Sequence, residues 1–106
     1  MLKIHSFRKA VTTAGTQERL TTADITAKYV RIQPEDDNTG IVFIGDSEVS
    51  SVNGIELVVS ANNAAVQTVP YVEFSAIENH DVSLRDIWVD VATGADGVQV
   101  VYMTAV

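Results

Sequence analysis

Apolar and polar residues alternate with a period of two along most of this chain, which is the mark of strands that bury one face and expose the other. In Lys28 to Ile32 the pattern turns Val30 and Ile32 inward and Tyr29 and Arg31 outward. Ile55, Leu57 and Val59 share a face opposite Glu56, and Val72 and Phe74 oppose Tyr71 and Glu73. Further on, Ile87, Val89 and Val91 point one way, with Asp86, Trp88 and Asp90 on the other side.

Two segments are apolar at every position that matters. Ile41 to Ile44 is one; Val98 to Val106, interrupted mainly by Gln99 and Thr104, is the other. Strands of that kind are expected to be covered on both faces, and for the last segment the second cover is either the same chain or another subunit. Turn-forming residues separate the runs at Asp37 to Gly40, Gly45 to Ser47, Val52 to Gly54, Ala61 to Asn63, Glu78 to Asp81 and Thr93 to Gly97. Gly40, Gly45, Gly54, Gly94 and Gly97 are expected to supply positive φ there. Thr21 to Lys28 is the best helical candidate, yet it is short and Thr-rich, so one turn is the most it predicts, with Thr22 or Asp24 as cap. With Lys3 to Val11 and Glu18 to Leu20 added, about eight strands result, the number of a jelly-roll-like Greek key. The fold class is therefore all-β, a β-sandwich or jelly roll, with residues 1–106 as one domain.

A chain that is 46% hydrophobic and 20% charged has enough apolar surface to close a core. It has no cysteine, so disulfides and thiolate chemistry are excluded. No segment approaches the roughly 20 apolar residues that span a bilayer, and Met1 to Lys9 lacks the apolar run of a signal peptide. No membrane partner and synthesis in a cytoplasm are expected.

Charge is unevenly spread. Met1 to Arg31 holds six cations against two acids, a balance of +4, whereas Ile32 onward sets Arg85 alone against twelve acids, a balance of −11. Nucleic acid is not an expected partner of so acidic a body. Either folding interleaves the two signs on one surface, or residues 1–12 form a basic strand or arm that docks on an acidic neighbour.

Catalytic signatures are missing. The two histidines, His5 and His80, stand in a terminal segment and a polar turn, and neither Ser47 nor Ser75 lies in a G-x-S-x-G elbow. The acid pairs Asp36/Asp37, Asp46/Glu48 and Asp86/Asp90 have no spacing that places two carboxyls across a cleft. Asp36-Asp37-Asn38 and Asp46-Ser47-Glu48 offer oxygens without the 12-residue calcium pattern. No enzyme activity, metal or cofactor is expected.

Trp88, placed outward between Asp86 and Asp90, is either an interface anchor, a residue covered by a loop or second sheet, or a sugar-stacking platform. The stretch Ile44 to Ser50 followed by Asn53 to Leu57, together with Leu84 to Asp90, Gly94 to Val98 and Tyr102, resembles small virion proteins of tailed bacteriophages; Lys28 to Gln33 is similar to their lead-in strand. That resemblance implies a β-sandwich particle protein of the capsid decoration (cement) or head-fibre-base kind, with no catalytic residues. The expectation is a decoration protein on the outside of a capsid shell, a dimeric or trimeric homo-oligomer bound to the major capsid protein. Leu2, Lys3, Ile4, Phe7, Arg8 and Lys9 would make contact, with Trp88 and Tyr102 as further interface candidates. A tail or head-to-tail junction protein is the alternative, and a host glycan or receptor-binding module using Trp88 and Tyr71 is another.

Overall fold

Ten strands and no α-helix are found among residues 1–58 and 70–106, which are the residues described in this computed structural model. The strands are β1 (Leu2–Ala10), β2 (Glu18–Arg19), β3 (Thr26–Ala27), β4 (Tyr29–Pro34), β5 (Val42–Gly45), β6 (Ile55–Leu57), β7 (Val72–Ser75), β8 (Val82–Ser83), β9 (Trp88–Val91) and β10 (Gly97–Ala105). One sheet has the order β1-β10-β4-β7, the facing sheet β2-β9-β5-β6, and β3 with β8 forms a small third ladder. All pairings are antiparallel. Setting β3 and β8 aside, the eight remaining strands cross between sheets in the order of two Greek keys, which makes the sandwich a jelly roll.

The period-two pattern decides which side chains meet between the sheets. Val30 and Ile32 of β4, Val98 and Val100 of β10, Val42 and Ile44 of β5, and Val89 and Val91 of β9 are all buried in one cluster with Leu20, Leu57, Leu84 and Ile87. Phe7, Val72, Phe74 and Tyr102 pack against its margin. Val59 and the turn Ala61 to Asn63 lie outside the described residues.

Thr21 to Lys28 forms no helical turn; the Thr21 hydroxyl accepts from the Ala23 N–H and the chain passes into β3. A single 3-10 turn, Leu84–Asp86, precedes β9 instead. Ile41 to Ile44 is covered on both sides, because Phe43 on the outer face of the second sheet is buried as well. Above that face lie the segments before β2 and after β5: Gly15 N–H donates to Asp90 (3.0 Å), the Gln17 side chain to the Ser47 carbonyl (2.8 Å), and buried Val49 sits 3.2 Å from where a Gly45 Cβ would be. Asp90 keeps the outer face that the alternation gave it, opposite Phe43, but these segments cover it, and it is only 2% exposed. An ordinary period-two strand leaves such a carboxylate in water; here a loop closes over it and satisfies it with backbone N–H groups.

The glycines also differ from expectation. Of the five in the turns, Gly54 alone has a positive φ, at 141°. Glu78 (φ 56°) and Ala95 (φ 74°) take left-handed positions in its place, and Gly15 (φ 84°) is the other such glycine. Gly97 serves close approach, since a Cβ there would stand 2.3 Å from the Lys9 carbonyl oxygen.

Candidate interaction surface

The N-terminal segment is a strand rather than a free arm. β1 pairs with β10 without a break, from Leu2 opposite Ala105 to Ala10 opposite Gly97. Alternation then sorts its side chains. Lys3, His5, Phe7 and Lys9 share the side of the sheet on which Val98, Val100 and Tyr102 lie, and Leu2, Ile4, Ser6 and Arg8 share the outer side.

On the inner side the predicted contact residues are spent within the chain. The Tyr102 ring stacks on His5 at 4.8 Å and 15°, and meets Phe7 edge-on at 6.0 Å. His5 Nε2 and the Thr104 hydroxyl share a hydrogen bond of 3.0 Å. Lys9 donates to Glu18 at 2.8 Å, and the other oxygen of that carboxylate accepts the Thr12 N–H. These bonds, Lys9's first, hold the Glu18 carboxyl below its ordinary pKa. Phe7, Lys9 and Tyr102 are thus half-buried and fix the edge of the sandwich.

Arg8 crosses the outer face to pair with Glu35 just beyond β4. Glycine at position 97 makes room, because a Cβ there would lie 2.9 Å from a Glu35 carboxylate oxygen. Asn38 closes the same corner: its amide donates to the Gly97 carbonyl (2.8 Å) and accepts from the Gly97 N–H (3.0 Å). Buried Asp96 accepts from the N–H groups of Thr39 and Gly40. Lys28 with Asp81 at 2.6 Å, and Arg19 with Asp86 at 3.9 Å, continue the pattern. Four of the six N-terminal cations therefore hold acids of the same chain, so folding does interleave the two signs.

What remains open is an apolar strip across the outer face of the first sheet, exposed at Leu2, Ile4 and Val101 and half-buried at Met103 and Tyr29. The register lines up Ile4, Met103 and Tyr29 across β1, β10 and β4, with Leu2 and Val101 beside them. Ile4 is 70% and Leu2 54% exposed, and Val101 is exposed as well. The Tyr29 hydroxyl donates to Glu73 at 2.5 Å, which raises its pKa by fixing the proton. A shallow groove of about 230 Å³ between Ser6, Arg8, Gln99 and Val101 runs alongside. The expectation that β10 is covered on both faces is not met within the described chain: Val98 and Val100 are buried, whereas Gln99 and Val101 are exposed. Val101, Met103 and Tyr29 were not singled out from the sequence as contact residues. The signal that locates the first two is the doubly apolar final strand.

Trp88 stands on the opposite sheet, away from this strip, half-buried with the Arg19 guanidinium 4.7 Å from its ring centroid. Tyr71 likewise carries Arg31 at 3.8 Å. Each aromatic has one face occupied by a cation. Asp86 and Asp90 do not converge, one being exposed beside Arg19 and the other buried under Gly15. Among the described residues no group of three His, Cys, Asp or Glu side chains is arranged to hold a metal. Asp46, in the acidic turn after β5, accepts the Glu48 N–H as an ordinary turn-forming carboxylate.

No protein-family model, curated protein or solved structure matches this chain.

Proposed function

We propose that the chain is a non-enzymatic particle protein of a tailed bacteriophage, one that decorates the outer surface of a capsid shell. The supporting observation is β10: a strand apolar on both sides, one of which the core fills while the other, with Val101 and Met103, joins Ile4, Leu2 and Tyr29 in a strip the described chain leaves open. Scattered exposed apolar residues are ordinary, but a contiguous strip across three strands is a contact surface. The jelly roll itself carries no weight in this argument, since it hosts capsid and lectin domains alike.

The mechanism is linkage. A protein that binds the assembled shell and not its dissociated subunits shifts the equilibrium toward the shell, by an amount that grows with the logarithm of its concentration over its dissociation constant. The acidic turns Asp36-Asp37 and Asp46-Ser47-Glu48 then face solvent. Particles purified from the phage whose genome encodes the chain, separated into heads and tails and analysed by mass spectrometry, provide the test. The protein is expected in the head fraction, and heads lacking it are expected to open at a lower temperature. Its confinement to tails would move it to the head-to-tail junction; its absence from both fractions would overturn the reading.

A further inference from the structure

The hydrogen-bond phase of β1 identifies a second binding element that the side chains alone do not reveal. Just outside the paired strands, the Val106 N–H donates to the Met1 carbonyl (2.9 Å) and the Val11 N–H to the Asp96 carbonyl (3.0 Å). Both pairs continue the β1–β10 register, and bonded pairs alternate with non-bonded ones in an antiparallel ladder. The odd-numbered residues of β1 therefore point their N–H and C=O groups at β10. Those of Leu2, Ile4, Ser6, Arg8 and Ala10 point away from it, along the free edge, and among the described residues none of these groups has a hydrogen-bond partner.

A free edge of nine residues is long for a sandwich. Edges of this length are ordinarily blunted by a proline, a bulge, a covering segment or charged side chains, Lys above all. β1 contains no proline, its register runs unbroken, and no described strand lies beyond it. Its one such device is charge: the side chains include Lys3, Arg8 and Lys9 and no acid, which opposes a like strand and admits an acidic one. Lys3 is exposed and makes no ion pair among the described residues, and Arg8 keeps a side chain that is 68% exposed despite Glu35.

We infer that β1 is a strand-addition site for an extended segment of another protein in which acidic and apolar residues alternate. This rests on the reading that the chain works by binding a protein. Five outward N–H and C=O sets would give the segment its affinity, as in other cases of strand addition. Specificity would come from period-two alternation: a carboxylate across from Lys3, which has no ion pair among the described residues, on one side, and apolar side chains extending the Ile4 and Leu2 strip on the other. A second copy of β1 is the less favourable occupant, because it brings a second unpaired Lys3 to the seam and the strand itself contains no acid to meet it.

Amide hydrogen exchange of the ¹⁵N-labelled chain reads the edge directly. In the free protein the Lys3, His5, Phe7 and Lys9 amides are expected to be protected and those of Ile4, Ser6, Arg8 and Ala10 to exchange freely. A capped eight-residue peptide of alternating Glu and Val should slow the second set tenfold or more, and a Lys and Val peptide should not. Ser6→Pro removes an N–H that faces the edge rather than β10, so it should abolish the response while leaving the urea midpoint near the wild-type value. Lys3→Glu, which leaves the backbone intact, should weaken the Glu and Val peptide tenfold should the proline variant fail to fold. Even-numbered amides already protected in the dilute free protein would overturn the inference. So would protection that rises with protein concentration alone, which would assign the edge to a second copy, or equal binding of both peptides. All of these readouts are independent of whether the chain is found in heads, so the two proposals fail separately.

Discussion

Replacing Gly97 with alanine tests the corner on which β1, β10 and the Glu35 turn converge. The added Cβ would stand 2.3 Å from the Lys9 carbonyl oxygen, 2.8 Å from the Ala10 Cα and 2.9 Å from Glu35 Oε1, all below the 3.0 Å that real Cβ contacts respect. Two of the three neighbours are backbone, so no rotamer change relieves the clash. β1 has to move by about 0.7 Å relative to β10 at its C-terminal end. Overpacking of this kind costs ~1–3 kcal/mol. The displacement also disturbs the Asn38 and Glu35 bonds to the Gly97 peptide, each contributing ~0.5–1.5 kcal/mol. A total near 3 kcal/mol lowers the melting temperature of a domain this size by about 10–20 °C. Gly40→Ala is the control, because its closest neighbour is the Thr93 hydroxyl at 2.7 Å, a side-chain atom that can turn aside; its cost should stay under about 1 kcal/mol. Thermal unfolding followed by circular dichroism separates the two. Equal melting temperatures for both variants would refute the reasoning that a backbone neighbour makes the difference.

Asp96→Ala leaves the Thr39 and Gly40 N–H groups without their carboxylate, and urea unfolding should show a loss of about 2–3 kcal/mol; a loss below about 0.5 kcal/mol would mean water replaces the acceptor without penalty. Glu18 titrates below its ordinary 4.5 in the folded chain, so its contribution is complete above that value and disappears as pH falls through the lowered one. The Lys9–Glu18 pair is partly exposed, so Glu18→Gln should destabilise by about 0.5 kcal/mol at pH 7. In urea titrations the variant and the wild type should converge as pH falls below the lowered value, and a gap that stays constant with falling pH would contradict the pairing. Arg19→Ala uncovers one face of the single tryptophan, so emission from Trp88 should shift to longer wavelength with a stability loss of about 0.5–1 kcal/mol. Superimposable spectra would mean that the guanidinium does not shield the indole.

Alternation carried most of the fold into the sequence. Val30 and Ile32, Val72 and Phe74, and Val89 and Val91 face the core as their spacing requires, because a strand has two faces and water accepts one of them. Asp90 breaks the rule for a reason no strand pattern contains: the segment carrying Gly15 comes from 75 residues away in the chain and folds over it. Glycine was equally ambiguous as a letter. At Gly54 it marks a positive φ, whereas at Gly97 it marks the approach of a neighbouring strand.

The contact surface divides the same way. A doubly apolar β10 and a basic N-terminus are properties of the sequence, and each marked its segment as a candidate for contact. Which of the candidate residues remain available is a property of the assembled sandwich. Antiparallel register sends Phe7, Lys9 and Tyr102 inward and leaves Ile4 and Leu2 exposed, and Trp88 belongs to the other sheet altogether. The sequence by itself determined an all-β chain, its core positions and the presence of surplus apolar surface, because these depend on a local period of two. Only the tertiary structure decided that β1 is an edge strand, which of its amides face outward, and which cations already hold acids, because strand order and register join residues nearly a full chain length apart.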